Sequence, residues 1–186
     1  MTSTLILITG HPATGKTTLA RRLAQHLNLP AFCKDDGKEI LFDHLGSGDR
    51  DWIRKLGTVS FDLLYWQADV MFKAGLSCIV EANFNPHYAN IPWQKLQSLY
   101  QFRCIQLLCS AEAEIVVRRY EQRIADGSRH PGHFDARGSS ELRHLLTRQP
   151  AEWIELSGER LAVDTTSFGD EEFTSLSIML QDLIRQ

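Results

Sequence analysis

Gly10-His11-Pro12-Ala13-Thr14-Gly15-Lys16-Thr17 is the stretch on which the reading of this chain turns. The octet fits G-x-x-x-x-G-K-[ST], a phosphate-binding loop, or P-loop. Leu5-Ile6-Leu7-Ile8 comes just before it, a continuous apolar run of the kind that a fully buried strand carries. Leu19, Ala20, Leu23, Ala24 and Leu27 follow it at helical spacing. Strand, loop and helix in that order are the context in which the motif has meaning. The glycines let the backbone turn its N–H groups inward around an anion. The new helix adds the positive end of its dipole. Lys16 is placed to reach the β- and γ-phosphates of a nucleotide, and Thr17 to hold Mg²⁺. The whole octet, with Thr18 after it, is the expected nucleotide contact.

The rest of the chain sets limits on this reading. Its 186 residues suit one domain, with or without a mobile insert. The apolar fraction of 43% is enough for a core. A formal net charge of −3 lends no support to broad binding of nucleic acid or of an anionic membrane. Met1-Thr2-Ser3-Thr4 has no basic region before the apolar run, which is too short for a signal peptide. No stretch approaches a membrane span. Cys33, Cys78, Cys104 and Cys109 lack C-x-x-C spacing and read as reduced core residues of a cytoplasmic protein.

Taken in order, the chain alternates strands and helices. The first helix should end near Asn28, before Pro30, and Ala31 to Lys34 form a second strand. Asp36 and Glu39 have capping-box spacing ahead of Ile40, Leu41 and Leu45. Trp52, Leu56, Val59, Leu63, Trp66 and Val70 predict a long helix with these residues in the core. Leu76 to Val80 reads as the third strand, Trp93 to Tyr100 as a helix, and Phe102 to Cys109 as the fourth strand. Ser110 is placed to cap a helix that carries Arg118, Arg119 and Arg123. Asp126 to Asp135 is polar and glycine-punctuated, the composition of a mobile loop. A short helix around Glu141 to Thr147, a strand at Leu161 to Asp164 and a helix marked by Phe173, Leu176, Leu180 and Leu183 complete the chain. Such alternation implies a parallel sheet covered on both faces, with ligands beyond the strand C-termini. The P-loop, Asp35, Glu81 and Ser110 all fall at those ends.

With these residues in view, the sequence resembles the small P-loop kinases that include zeta toxins, chloramphenicol phosphotransferase and the kinase domain of polynucleotide kinase. The supporting segments are Lys34-Asp35-Asp36, Glu81-Ala82-Asn83 and Arg119-x-x-x-Arg123. The resemblance implies a three-layer α/β fold of the P-loop nucleoside-triphosphate hydrolase type. Its five-stranded parallel sheet would have the order 2-3-1-4-5, with a small helical lid at about 118–138. It implies transfer of the ATP γ-phosphoryl to a hydroxyl, with ATP and Mg²⁺ bound.

Under that resemblance Asp35 is the base that orients and deprotonates the acceptor hydroxyl. Asp36 competes for the role but is also read as a helix cap. Lys38 is either a contact of the acceptor or a solvated helix lysine. Glu81 ends a buried strand where a carboxylate can hold Mg²⁺ through water. Asn83 is placed in the acceptor pocket. Arg119 lies against the adenine and Arg123 reaches the phosphates, with Arg118 and Arg129 as competitors for the second role. Arg129 and His130 are expected on the substrate. His130-x-x-His133-x-Asp135 has a spacing open to metal binding, with a lid contacting substrate or phosphate as the favoured reading. Asp164, after the last strand, is placed near the adenine.

Three functions compete. The first is an ATP-dependent kinase acting on a small-molecule hydroxyl, as a monomer or homodimer, without nucleic acid or membrane. The second is a 5′-hydroxyl polynucleotide kinase, which needs a basic, aromatic-lined channel. The third is a nucleotide-binding ATPase or switch with no acceptor. Asp35 and the arginine-rich lid favour a kinase.

Overall fold

The computed structural model describes residues 2–133 and 138–185. The elements are β1 (Thr4–Gly10), α1 (Lys16–Leu27), β2 (Ala31–Cys33), α2 (Lys34–Leu45), α3 (Arg50–Lys73) and β3 (Cys78–Glu81). Next come α4 (Pro86–Tyr100), β4 (Arg103–Ser110), α5 (Ala113–Ala125), α6 (Ser139–Arg148), β5 (Glu159–Asp164) and α7 (Asp170–Arg185). The strands form one sheet in the order β2-β3-β1-β4-β5, and every pairing is parallel. This is the order that the family resemblance implied.

The apolar run decides the architecture because all seven residues of β1 are buried. Alternate side chains of a strand face opposite ways. Leu5 and Leu7 accordingly pack with Leu64, Ala68 and Phe72 of α3 and Ala89, Trp93 and Leu96 of α4. Ile6 and Ile8 pack on the other face with Leu19, Ala20 and Leu23 of α1 and Phe173, Leu176 and Leu180 of α7. Each large apolar side chain so enclosed contributes about 1.5–3 kcal/mol. A third cluster joins Val116, Val117 and Tyr120 of α5 to Leu142 of α6, and Ala13 of the P-loop packs against it. All four cysteines are buried free thiols, each on a strand.

Four local expectations need correction. Asp36 does not cap α2. The helix begins two residues earlier, at Lys34, with Cys33 in the flanking position. Asp36 instead sits in the first turn, where its charge suits the dipole, and pairs with Arg21 at 2.8 Å. Ser110 is the last residue of β4 and caps nothing; Glu112 flanks α5, and the Ser110 carbonyl accepts from Thr165. Helix α4 starts at Pro86 rather than near Trp93. Asn85 caps it through His87 N–H, and Pro86 fits the first turn, where no amide partner is needed.

The fourth correction concerns α3. Its buried stripe is Leu56, Ser60, Leu64, Ala68 and Phe72, and only Leu56 was expected there. Val59, Trp66 and Val70 face solvent. The helix carries two apolar stripes at the same spacing, so periodicity alone cannot choose between them. Small Ser60 and Ala68 let the helix sit close on the sheet. The Ser60 hydroxyl is satisfied within the helix by donating to the Leu56 carbonyl at 2.6 Å.

Candidate active site

The site forms where β1, β2 and β3 end. Gly10 has φ 144°, and a Cβ there would collide with the Cys109 carbonyl, so the chain can turn out of β1 only with glycine. Gly15 opens α1 with φ 80°. Ala13 between them also adopts a left-handed φ of 61°, a costly conformation for a residue with a side chain. The loop is pinned from inside. Thr14 Oγ1 donates to the His11 carbonyl at 2.8 Å, and Thr165 Oγ1 donates to the Thr14 carbonyl at 2.8 Å.

Lys16 is buried, and its Nζ donates to the His11 carbonyl at 2.8 Å. It lies 3.9 Å from Glu81 Oε1. Thr17 Oγ1 donates to Glu81 Oε2 at 3.0 Å. Glu81 reaches both because β3 runs beside β1, pairing Ile8 with Glu81. Burial pushes the Glu81 carboxyl up and the Lys16 ammonium down, while each draws the other back toward its charged form. A hydroxyl beside a carboxylate is a hard oxygen donor set, the kind Mg²⁺ takes while keeping several waters. Thr17 and Glu81 thus present a donor set that suits Mg²⁺.

Asp35 stands on the first turn of α2, just past the end of β2. Lys34 Nζ lies 2.7 Å from its Oδ1. Burial alone would raise the Asp35 carboxyl, but Lys34, His133 and Lys16 outweigh it and hold it down at about 2. His133 comes from the loop after α5. Its Nε2 lies 2.8 Å from Glu39 Oε1 and 3.9 Å from Asp35 Oδ2, with the side chain 6% exposed. Burial keeps the imidazole below its usual value, against the pull of Asp35 and Glu39.

Two cavities share the P-loop as their floor. The larger, about 600 Å³, extends past Thr17 and Thr18 to Arg22, Arg119, Thr165 and Phe168. Arg119 is braced there, with its Nη2 donating to the Thr165 carbonyl at 2.6 Å. The smaller, about 330 Å³, is lined by Lys16, Asp35, Lys38, Glu81, Asn83, Arg129 and His133, among others. Ala13, Gly15, Thr17, Thr18, Asp35 and Arg123 line both.

Most residues singled out from the sequence thus converge on one cleft. Asp36 lines only the larger cavity, turned toward Arg21. Asp164 lines neither, because its carboxylate accepts the Thr166 N–H; Thr165 takes the cleft-facing place. His130 also lies outside both cavities, beside Asp43 at 3.1 Å and edge-on to Phe42. Asp135 falls outside the described residues, among which no group of three or more metal-binding side chains occurs. His133 and Lys34 are the residues that sequence reasoning undervalued. Lys34 was legible as the neighbour of Asp35, whereas His133 sits in a loop with no periodic signal.

A family model described as "AAA domain" matches residues 5–162. Among solved structures, the chain is similar to a Chloroflexus aurantiacus protein provisionally called a kinase. The two share 38% identity over 98% of each chain, with a TM-score of 0.91. The fold also resembles the Mycobacterium tuberculosis APS kinase solved with AMPPNP and APS, at 15% identity and TM-score 0.59, over 100% of this chain and 99% of that one. Shikimate kinase from Bacteroides thetaiotaomicron has 18% identity and TM-score 0.56, over 98% and 99%. No curated protein matches the sequence. No described helix is long and apolar enough to cross a membrane.

Proposed function

From a chain that belongs to the AAA domain family and carries this cleft, we propose an ATP-dependent kinase that phosphorylates a hydroxyl of a small molecule. The observation that carries the reading is the placement of Asp35 across the P-loop from Lys16, on the wall shared by both cavities. An ATPase needs the P-loop; a second carboxylate facing it, with its own lined cavity, suits an acceptor.

ATP takes the larger cavity, with its base against the face formed by Arg119 and the Thr165 turn and its phosphates over the P-loop amides. Lys16 leaves the His11 carbonyl for the β- and γ-oxygens. Thr17 and Glu81 hold Mg²⁺, which when bound neutralises phosphate charge. The acceptor enters the smaller cavity beside Lys38 and Asn83, and Asp35 accepts a hydrogen bond from its hydroxyl. A carboxylate held near 2 is a weak base, so its main work is to aim the oxygen at the γ-phosphorus. A loose transition state asks for little more, because the proton can leave after most of the transfer. Arg123, with Arg129 from the lid, stabilises charge on the transferring group. His133 and Glu39 close the cavity over Asp35 and limit water. An acceptor-side aspartate is what the resemblance to zeta toxins and chloramphenicol phosphotransferase implies, and a cytoplasmic setting with ample ATP fits this reading.

The test is ATP consumption with a panel of hydroxylated metabolites and antibiotics, read by mass spectrometry. A gain of one phosphoryl on an acceptor supports the kinase. ATP turnover equal with and without every acceptor favours an ATPase, and label on a 5′-hydroxyl oligonucleotide favours a polynucleotide kinase.

A further inference from the structure

The second apolar stripe of α3 lies about a third of a turn around the helix from the one buried on the sheet, and its central residues are left in solvent. Val59, Trp66 and Val70 are 43%, 62% and 46% exposed, with half-buried Trp52 and Leu63 on the same face. A contiguous apolar strip containing an exposed Trp is the usual mark of an interface. One flank of the strip carries Asp51, Lys55, Asp62, Asp69 and Lys73 at four- and seven-residue steps. The Asp69 carboxylate is fixed there by the Tyr100 hydroxyl, 2.7 Å away.

We propose that this face is the interface of a homodimer in which α3 packs antiparallel on α3 of a second copy. In such a two-fold contact each flank meets the same flank of the other helix, and every pair occurs twice. With the axis beside Asp62 and Leu63, Val59 packs on Trp66 of the second copy and Trp52 lies near its Val70. The same register sets Lys55 opposite Asp69 and Asp51 opposite Lys73. A slip of one turn one way puts Asp51 opposite Asp69; a slip the other way puts Lys55 opposite Lys73. Only the central register pairs opposite charges at both places. The cost is Asp62, which meets its own copy at the axis. Exposed ion pairs add little affinity, so burial of Trp66 and the valines drives association and the charges set the register. One helix of 24 residues is about 36 Å long, a small contact, so the dimer is reversible.

Sedimentation of the full chain from about 1 μM to about 300 μM tests this. A monomer–dimer equilibrium is expected, and Trp66→Glu should leave monomer throughout, with the melting temperature of the parent chain at its lowest concentration. Lys73→Glu should weaken the dimer by about tenfold or more, and adding Asp51→Lys should restore it. Asp62→Asn should tighten it. A chain monomeric at every concentration, a dimer indifferent to Trp66→Glu, or a charge swap that fails to restore association would each overturn the proposal. None of these residues lies in the cleft, so the result is independent of the kinase reading.

Discussion

Thr17 Oγ1 donates to Glu81 Oε2 across 3.0 Å, which ties the first turn of α1 to the end of β3. The other Glu81 oxygen faces Lys16 at 3.9 Å. One buried carboxylate thus holds both Thr17 and Lys16 of the P-loop. Glu81→Gln keeps an acceptor for the Thr17 hydroxyl but removes the charge. We expect the Mg²⁺ concentration needed for ATP binding to rise by about ten- to a hundredfold. Binding without Mg²⁺ should change little. Calorimetric titration across Mg²⁺ concentrations checks this, and an unchanged requirement would place the metal elsewhere.

Lys16→Ala should weaken Mg·ATP binding by about tenfold or more and abolish transfer, by loss of a charge-assisted contact to the phosphates. Glu81 retains Thr17 as a partner and can take up a proton, so the melting curve should stay cooperative. Binding and turnover at the level of the parent chain would remove the P-loop from the account.

Asp35→Asn should leave ATP affinity within about threefold while transfer falls by about a hundredfold or more. The pH profile offers a second reading. With its carboxyl held at about 2, below the usual 3.8, Asp35 stays ionised through the working range. Its contribution to stability is full above 3.8 and is lost as pH falls toward 2. Any acid limb of kcat between pH 5 and 7 should therefore persist in other groups. A limb that disappears in Asp35→Asn, leaving residual activity flat, would show a carboxyl that titrates far higher than the geometry allows.

The parallel sheet was legible from the alternation of strands and helices around Leu5 to Leu27, and its strand order from the family resemblance. A continuous apolar strand must be covered on both faces, and alternation supplies the helices. Reading the faces of α3 was harder, since Val59 and Leu64 look alike in sequence and only tertiary packing separates them. Asp36 and Glu39 show the limit of a local motif. Their spacing fits a cap, yet α2 begins at Lys34 because the end of β2 sets the path. In the cleft, Lys16, Thr17, Glu81 and Asp35 were visible as motif or strand-end residues. His133 was legible only as part of a lid motif, and its place beside Glu39 was not, since that comes from a loop folding onto α2, a contact between residues 94 apart.

That contact makes the docking of the loop after α5 on α2 sensitive to pH. His133 faces Asp35, Glu39, Lys38 and Arg129, and burial sets its value below the usual 6.5. The docked loop prefers the neutral ring, so docking is strongest above 6.5. It weakens as pH falls from there toward the lowered value, because the undocked imidazole takes up a proton first. Hydrogen exchange over residues 118–133, corrected for intrinsic rate, should be faster at pH 5.5 than at 7.5. His133→Ala should erase the difference and raise ATP hydrolysis without acceptor. Equal exchange at both values in the parent chain would mean the imidazole does not govern docking.

The two arginines of α5 should separate kinetically. Arg119 is fixed on the Thr165 turn, so Arg119→Ala should raise the KM for ATP by about tenfold with a smaller effect on kcat. Arg123 lines both cavities, and Arg123→Ala should lower kcat by about ten- to a thousandfold. Steady-state kinetics with saturating acceptor decide it, and the reverse pattern would exchange the roles.

The most direct measurement follows the γ-phosphoryl itself. ATP labelled at the γ-position is incubated with a mixed pool of hydroxylated small molecules, and products are compared for the parent chain, Lys16→Ala and Asp35→Asn. The account predicts label on a low-molecular-weight acceptor with the parent chain, about a hundredfold less with Asp35→Asn and none with Lys16→Ala. Label found only in inorganic phosphate, at equal rates in the parent chain and in Asp35→Asn, would contradict it.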